Sequence, residues 1–362
     1  MFDNFYKNKK ILVTGHCGFK GSWLTAWLLM MGADICGFSK NIPTSPSNFE
    51  SIRIDKKIHH IIGDIKDIVK LKKTFQDFKP EIVFHLAAQP LVRKSYKEPK
   101  DTFDTNVIGT VNILECIKMS KSVKAGVIIT SDKAYRNQEW IWGYRENDLL
   151  GGEDPYSASK GCAEIIINSY CKSFFKEGPY IASTRAGNVI GGGDWAEDRI
   201  VPDAVRAWIK DKPVIIRHPE STRPWQHVLE PLSGYLLLGK LLYEQGNKFA
   251  SQAYNFGPSN LDDNSVKDVL NCIKKYWNNA GWLIENNNSI AKESILLKLS
   301  CDKALSKLGW HSILSFEESM QMTASWYKSF YEDKNIDMLK FSFDQMKIYK
   351  KKAKEMDLLW SK

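Results

Sequence analysis

Ile11-Leu12-Val13-Thr14-Gly15-His16-Cys17-Gly18-Phe19-Lys20-Gly21-Ser22-Trp23-Leu24 is the stretch that decides the fold. An apolar run passes into three glycines spaced three apart, and an apolar helical pattern follows at once with Trp23, Leu24 and Trp27. A strand that turns through glycines into a helix is the dinucleotide-binding arrangement. Gly15 permits the tight turn, Gly18 lets the backbone approach a pyrophosphate, and Gly21 allows the helix to pack closely on the sheet. The helix start offers unpaired N–H groups and the positive end of its dipole to the anion. Phe19 and Lys20 lie in the same turn and count with the glycines as cofactor contacts.

Outward from this turn, short apolar runs alternate with longer amphipathic stretches, the pattern of a parallel sheet covered by helices on both faces. Strands are expected at Lys10 to Thr14, Asp34 to Phe38, His59 to Ile62, Ile82 to His85, Ala125 to Thr130 and Tyr180 to Arg185. Helices are expected at Ser22 to Met31, Asp67 to Phe78, Thr102 to Met119 and Ser157 to Phe175. The fold class is α/β, a doubly wound, Rossmann-type parallel sheet with a smaller α/β substrate-binding lobe. After Gly187 a glycine run at 191–193 and Pro202, Pro213, Pro219, Pro224 and Pro231 break the rhythm, which places the second lobe there. Residues 1–187 are read as the cofactor domain, with parts of 205–245 returning to it, 188–330 as mainly the substrate lobe, and 331–362 as a basic helical tail. Ser265 to Trp277 and Ser315 to Phe330 read as helices of the lobe, and Asn286-Asn287-Asn288 as a turn.

With 43% hydrophobic and 26% charged residues over 362, composition excludes a disordered chain. No apolar run is long enough to insert into a membrane, and the first ten residues lack the core of a signal peptide, so a cytoplasmic protein is expected. The seven cysteines show no C-x-x-C pair, which disfavours a disulfide scaffold or a metal site and suggests small buried hydrophobes. Much of the net charge of +9 is local, with Lys340, Lys347, Lys350, Lys351, Lys352, Lys354 and Lys362 crowding the tail. That reads as a solvated helix face, not a nucleic-acid surface. Leu339, Phe343, Met346, Ala353, Met356 and Trp360 recur at steps that give such a helix one apolar stripe. The stripe has to pack on something, and docking on the protein's own dimer is expected.

A cofactor-selecting acid should end the second strand, yet Ser39-Lys40-Asn41 stands there, so chemistry alone leaves NAD and NADP both open. Asp64, in the turn after the third strand, reads as an adenine contact or as a helix cap. Tyr156 and Lys160 stand four apart at a helix start, so both can face one way. An ammonium beside a phenol favours the phenolate and makes Tyr156 a usable general base. Tyr96 and Lys100 repeat the spacing, but Pro99 interrupts any helix between them. Upstream, the strand from Ala125 ends in Thr130-Ser131-Asp132-Lys133, setting a hydroxyl, a carboxyl and an ammonium at the ligand-binding edge of the sheet.

The strings from Thr14 to Leu24, Phe84 to Arg93, Thr105 to Thr110, Thr130 to Tyr135, Glu139 to Glu146, Asp154 to Glu164, Arg185 to Asp203 and Arg223 to Leu238 resemble the nucleotide-sugar 4,6-dehydratases of the extended short-chain dehydrogenase/reductase family. Within that family they are similar to the branch acting on CDP-glucose, and the resemblance runs from about residue 8 to 330. It implies a redox-neutral dehydration with bound NAD that feeds deoxysugar synthesis for surface polysaccharide. Tyr156 would take the proton of the sugar 4-hydroxyl as C4 gives up hydride, the 4-ketone would acidify C5, water would leave from C6, and the hydride would return there. Ser131 would bond the 4-hydroxyl and Asp132 would protonate the departing 6-hydroxyl. Related dTDP-glucose dehydratases carry a glutamate base directly after that aspartate, where this chain has Lys133. By the same resemblance Ile65, Leu86, Ala87, Asn106 and Thr130 join Asp64, Tyr156 and Lys160 around the cofactor, and Asn188, Arg199, Arg223 and His227 line the substrate pocket. The helices Thr102 to Met119 and Ser157 to Phe175 would form a homodimer seam. Another nucleotide-sugar dehydratase or a 4-epimerase would share the fold, but an epimerase needs no acid to expel a C6 hydroxyl. A dinucleotide-binding regulator without catalysis would not need both Tyr156 and Lys160.

Overall fold

A computed structural model describes residues 1–258, 264–277, 280–284 and 296–362. Strands β1 (Lys10–Thr14), β2 (Asp34–Ser39), β3 (His59–Ile62), β4 (Ile82–His85), β5 (Ala125–Ile129), β6 (Tyr180–Ala186) and β7 (Ala253–Phe256) form one sheet in the order β7-β6-β5-β4-β1-β2-β3. Every pairing in it is parallel. Alternation along the strands sends Ile11, Val13, Phe84 and Val127 to one face and Leu12, Val83, Ile128 and Ile181 to the other. Both faces are apolar, so helices must cover both. Helices α1 (Phe19–Met30) and α5 (Leu229–Phe249) cover the first, and α2 (Ile68–Phe78), α3 (Gly109–Met119) and α4 (Pro155–Phe174) the second. Strand order reverses between β1 and β4, which makes the carboxyl ends of these strands the ligand-binding edge.

The expected helix from Thr102 to Met119 is broken. A turn at Pro99–Phe103 runs into a π turn at Asp104–Ile108 before α3 begins. The wider turn points Asn106 inward, where its amide donates to Gln89 O (3.1 Å) and Ser159 Oγ (2.9 Å) and accepts from Gln89 N (2.8 Å). Such π turns occur where a side chain must be re-aimed. Strand β7 was not anticipated, because its four residues include Asn255, a poor strand former. Asn255 is buried by specific bonds, accepting from Tyr135 Oη (2.8 Å) and donating to Tyr144 O (2.9 Å) and Ser300 O (3.1 Å).

The smaller lobe holds short strand pairs, Val189–Ile190 with Gln226–His227, Thr222–Arg223 with Asn264–Ser265, and Val214–Ile216 with Trp282–Ile284. The expected helix from Ser265 is Val266–Ile273, tightened into a 3₁₀ turn at Lys274–Tyr276. The lobe's other long helix is α6 (Phe316–Glu332), started by a Ser315–Glu318 capping box. The Asn286–Asn288 turn lies outside the described residues.

In the tail, α7 (Met338–Glu355) docks on the body of its own chain. Its buried face is Met338, Ser342, Gln345, Met346, Tyr349 and Ala353, so the stripe is rotated from the expected one and Met356 stays exposed. Among the described residues no helix is long and apolar enough to cross a membrane.

Candidate functional site

The glycine turn is as tight as its sequence requires. Gly15 has φ +76°, and a Cβ there would meet Ala87 N at 2.7 Å, where the chain leaving β4 crosses over the turn. A Cβ on Gly21 would lie 2.1 Å from Gly15 O, so α1 can begin this close to the turn only without a side chain. Gly18 caps α1, leaving the helix-start N–H groups directed outward. Leu86 N and Ala87 N bond Thr14 O (3.1 Å) and Thr14 Oγ1 (3.3 Å), which fixes the second wall of the cleft. Ile65 is buried and its carbonyl accepts from Asn112 Nδ2 at 2.9 Å. Asp64 pairs with Lys40 (3.2 Å), and Asp67 caps α2, so the capping reading of Asp64 does not hold. Asn106, fully engaged with Gln89 and Ser159, positions the loop after β4.

At the end of β5, Ser131 caps a short turn, Asp132–Ala134. Asp132 Oδ1 accepts from Ser131 Oγ and Lys133 N, both at 2.8 Å. Asp132 Oδ2 is buried with no partner among the described residues. Burial pushes the Asp132 carboxyl up, against the pull of Lys133, the Ser131 bond and Lys20. A carboxyl with one oxygen fully bonded, the other free and its pKa raised is arranged as an acid.

Helix α4 delivers Tyr156 and Lys160 to the same edge. Asp154 caps it, accepting from Ser157 N (2.9 Å), and Pro155 takes its first position. Both side chains are buried. Burial pushes the Tyr156 phenol up to about 12, with the Ser131 bond and the Arg199 guanidinium opposing and Asp132 adding to the rise. Lys160 is held down to about 7 by burial and by Lys20. Burial has the largest effect on both groups. Lys20, half-buried in the glycine turn, is itself lowered to about 8 by burial and Arg199, while Asp132 and Asp194 work against the fall. The phosphate loop and the catalytic edge thus share one electrostatic environment.

Of the expected substrate residues, Arg199 is bonded to Asp194 Oδ2 at 2.6 Å and acts on the Tyr156 phenol. Asn188 accepts from Gln226 N through its carbonyl (3.1 Å), and Arg223 donates to Thr222 O (2.7 Å). His227 is completely buried, edge-on to Trp23 with rings 6.1 Å apart, and burial lowers it to about 3. Its Nε2 has no hydrogen-bond partner among the described residues.

Sequence reading missed Glu164 and Arg185. Glu164 accepts from Thr130 Oγ1, from Ser183 Oγ (2.8 Å) and from Arg185 Nη2 (2.9 Å), all buried. The pair ties α4 to β6 and to the residue preceding Ser131. Removing one member of a buried pair strands the other charge, so Arg185→Ala is expected to cost about 3–5 kcal/mol in urea unfolding. Adding Glu164→Gln should recover part of that loss, and a double variant no more stable than Arg185→Ala would contradict the pairing. Arg185 and the hydroxyl bonds hold Glu164 below its ordinary 4.5 despite the opposing effect of burial. A depressed folded-state pKa gives stability that is present above the unfolded value and lost as pH falls through the folded one. The wild-type advantage over Glu164→Gln should accordingly shrink in acid.

Against known proteins, the family described as GDP-mannose 4,6 dehydratase matches residues 12–323. A CDP-glucose 4,6-dehydratase of Salmonella typhimurium (strain LT2) is 50% identical over 333 residues, spanning 90% of this chain and 92% of that protein. The solved epimerase Mth375 of Methanothermobacter thermautotrophicus superposes with TM-score 0.80 at 25% identity, covering 91% of this chain and 96% of the other. A dTDP-glucose 4,6-dehydratase from Bacillus anthracis, solved in complex with NAD, shares the fold with TM-score 0.73 at 23% identity over 90% and 98% of the two chains.

Proposed function

The chain belongs to the GDP-mannose 4,6-dehydratase family, and we propose that it removes water from CDP-glucose to give CDP-4-keto-6-deoxyglucose. Half of its residues are shared with a CDP-glucose 4,6-dehydratase over nearly the whole of both proteins. The observation that carries the chemistry is the turn after β5, with Asp132 buried as a raised acid beside Tyr156.

The cleft fits NAD. The tight turn that Gly15 and Gly21 permit, and the N–H groups at the start of α1 that no side chain caps, suit a pyrophosphate. Gly15, Gly18, Phe19, Lys20 and Gly21 would hold the phosphates, Asp64 and Ile65 the adenine side, and Leu86, Ala87, Thr130 and Lys160 the nicotinamide side. When bound, NAD supplies an acceptor for the C4 hydride that is returned to C6. Tyr156 takes the proton of the 4-hydroxyl, and Ser131 bonds the same oxygen. Asp132 gives its proton to the departing 6-hydroxyl. Lys133 stands on the same turn, at the position where related dTDP-glucose dehydratases carry the glutamate that serves as the C5 base. Asn188, Arg199 and Arg223 face the nucleotide sugar, the arginines offering forked donors to its phosphates.

Residues 1–187 with the returning part are assigned to the cofactor, 188–330 mainly to the substrate, and 331–362 to the docked tail. A homodimer through α3 and α4 is supported by Ile108, Met119, Ile165 and Phe174, each at least half exposed on this face. A cytoplasmic setting accords with seven free cysteines. The test is incubation with CDP-, UDP-, GDP- and dTDP-hexoses followed by mass spectrometry. CDP-glucose is expected to lose one water with no net reduction of the cofactor. Stoichiometric cofactor reduction, or an isomer of unchanged mass, would point to a dehydrogenase or an epimerase instead.

A further inference from the structure

His16 and Cys17 fill the two positions between Gly15 and Gly18, and β3 brings His60 to them from 44 residues away. His16 Nε2 lies 2.7 Å from His60 Nδ1 and 3.4 Å from Cys17 Sγ, and the three ligand atoms all fall within 4.8 Å of one another. The far nitrogen of His16, Nδ1, is 2.9 Å from Ser39 Oγ, which also accepts Cys17 N–H at 3.1 Å. Metal-ligating histidines are held in this way, the second ring nitrogen tied to a protein oxygen that fixes tautomer and ring orientation. The imidazole lies over β2 where Gly37 leaves room, since a Cβ there would come within 2.3 Å of the ring. Phe49 closes one side, with its ring 5.2 Å from His16 and 5.1 Å from His60.

From this juxtaposition we propose that His16, Cys17 and His60 form a site for a thiophilic divalent cation of the zinc class. Two imidazole nitrogens and one thiolate suit such an ion in a tetrahedral shell, with the fourth place left to water. Ligand distances of about 2.0–2.1 Å to nitrogen and about 2.3 Å to sulfur require the two nitrogens to stand roughly 3.3 Å apart. A small rotation of the half-exposed His60 ring reaches this from the observed 2.7 Å. Binding displaces the Cys17 thiol proton and breaks the imidazole–imidazole hydrogen bond, leaving Ser39 to hold the ring. Bound there, the ion fastens the phosphate loop to β3. No C-x-x-C spacing announces the site, because two ligands are adjacent and the third comes from another strand.

Cobalt(II) titrated into chelator-treated, full-length protein tests the proposal. One equivalent per chain should produce a near-ultraviolet thiolate-to-cobalt band together with the visible bands of four-coordinate cobalt, and zinc should bleach both. Cys17→Ala should abolish the thiolate band, and His60→Ala should weaken cobalt binding at least tenfold, whereas Cys272→Ala should change neither. The half-exposed His60 keeps the test usable should Cys17→Ala fail to fold. A wild-type protein without the thiolate band, a band that survives in Cys17→Ala, or unchanged affinity in His60→Ala would overturn the site and leave a hydrogen-bonded histidine pair.

Discussion

Tyr156→Phe is expected to lower turnover of CDP-glucose by about a hundredfold or more, the scale for losing a general base, while dinucleotide binding survives. The substitution deletes one oxygen. The Tyr156 backbone N–H still donates to Ser95 Oγ at 3.2 Å, and the ring keeps its place at the start of α4. What disappears is the phenol that Ser131 and Arg199 pull down and that burial and Asp132 push up to about 12. Steady-state turnover and NAD binding by calorimetry separate the two effects. A variant with near wild-type turnover would remove Tyr156 from the reaction, and one that lost NAD binding would show that the hydroxyl helps to hold the cofactor as well as serving the chemistry. Lys160→Ala should impair both measurements, since Lys160 shares its buried position with Lys20 of the phosphate loop.

The sheet was legible because its signals are local. Apolar runs of four to six residues, each bounded by a turn, locate β1 to β6 almost to the residue, and the glycine turn identifies which strand comes first. Strand β7 was not, because Asn255 pays for its burial with partners at Tyr135, Tyr144 and Ser300, from two other parts of the chain. The π turn at Asp104–Ile108 was hidden for a similar reason, since Asn106 answers to Gln89 and Ser159 and not to its own helix. At the site, motifs placed Ser131, Asp132, Tyr156 and Lys160 on one edge, but they carry no information about burial. Burial is what raises Asp132 and Tyr156 and lowers Lys160 and His227. Glu164 and Arg185 went unread because an ion pair between a helix and a strand leaves no periodic trace.

Truncation after Tyr331 is expected to yield little folded protein, because the tail completes the core under α1. Trp360 stacks on Phe2 (5.5 Å, 21°) and on Tyr349 (5.6 Å, 21°) and meets the edge of Trp27 at 6.3 Å. Tyr349 Oη donates to Glu230 Oε2 at 2.7 Å, and Glu230 Oε1 takes the N–H groups of Ile313 and Leu314 at 2.9 and 2.7 Å. Burial pushes the Glu230 carboxyl up to about 7, so losing Tyr349 would leave a costly buried group with one bond fewer. Trp360→Ala isolates the packing contribution, since it empties the aromatic cluster while sparing the Glu230 bonds. A buried Trp→Ala change costs about 3–5 kcal/mol, and thermal or urea unfolding should show a loss on that scale. Turnover per folded subunit should stay close to wild type, because the cluster touches Trp27, near the end of α1 remote from Gly18. An unchanged unfolding midpoint in Trp360→Ala would mean that the aromatic cluster around Trp360 contributes nothing to the fold. A loss of turnover without loss of stability would instead mean that α1 transmits the tail's position to the phosphate loop at its other end.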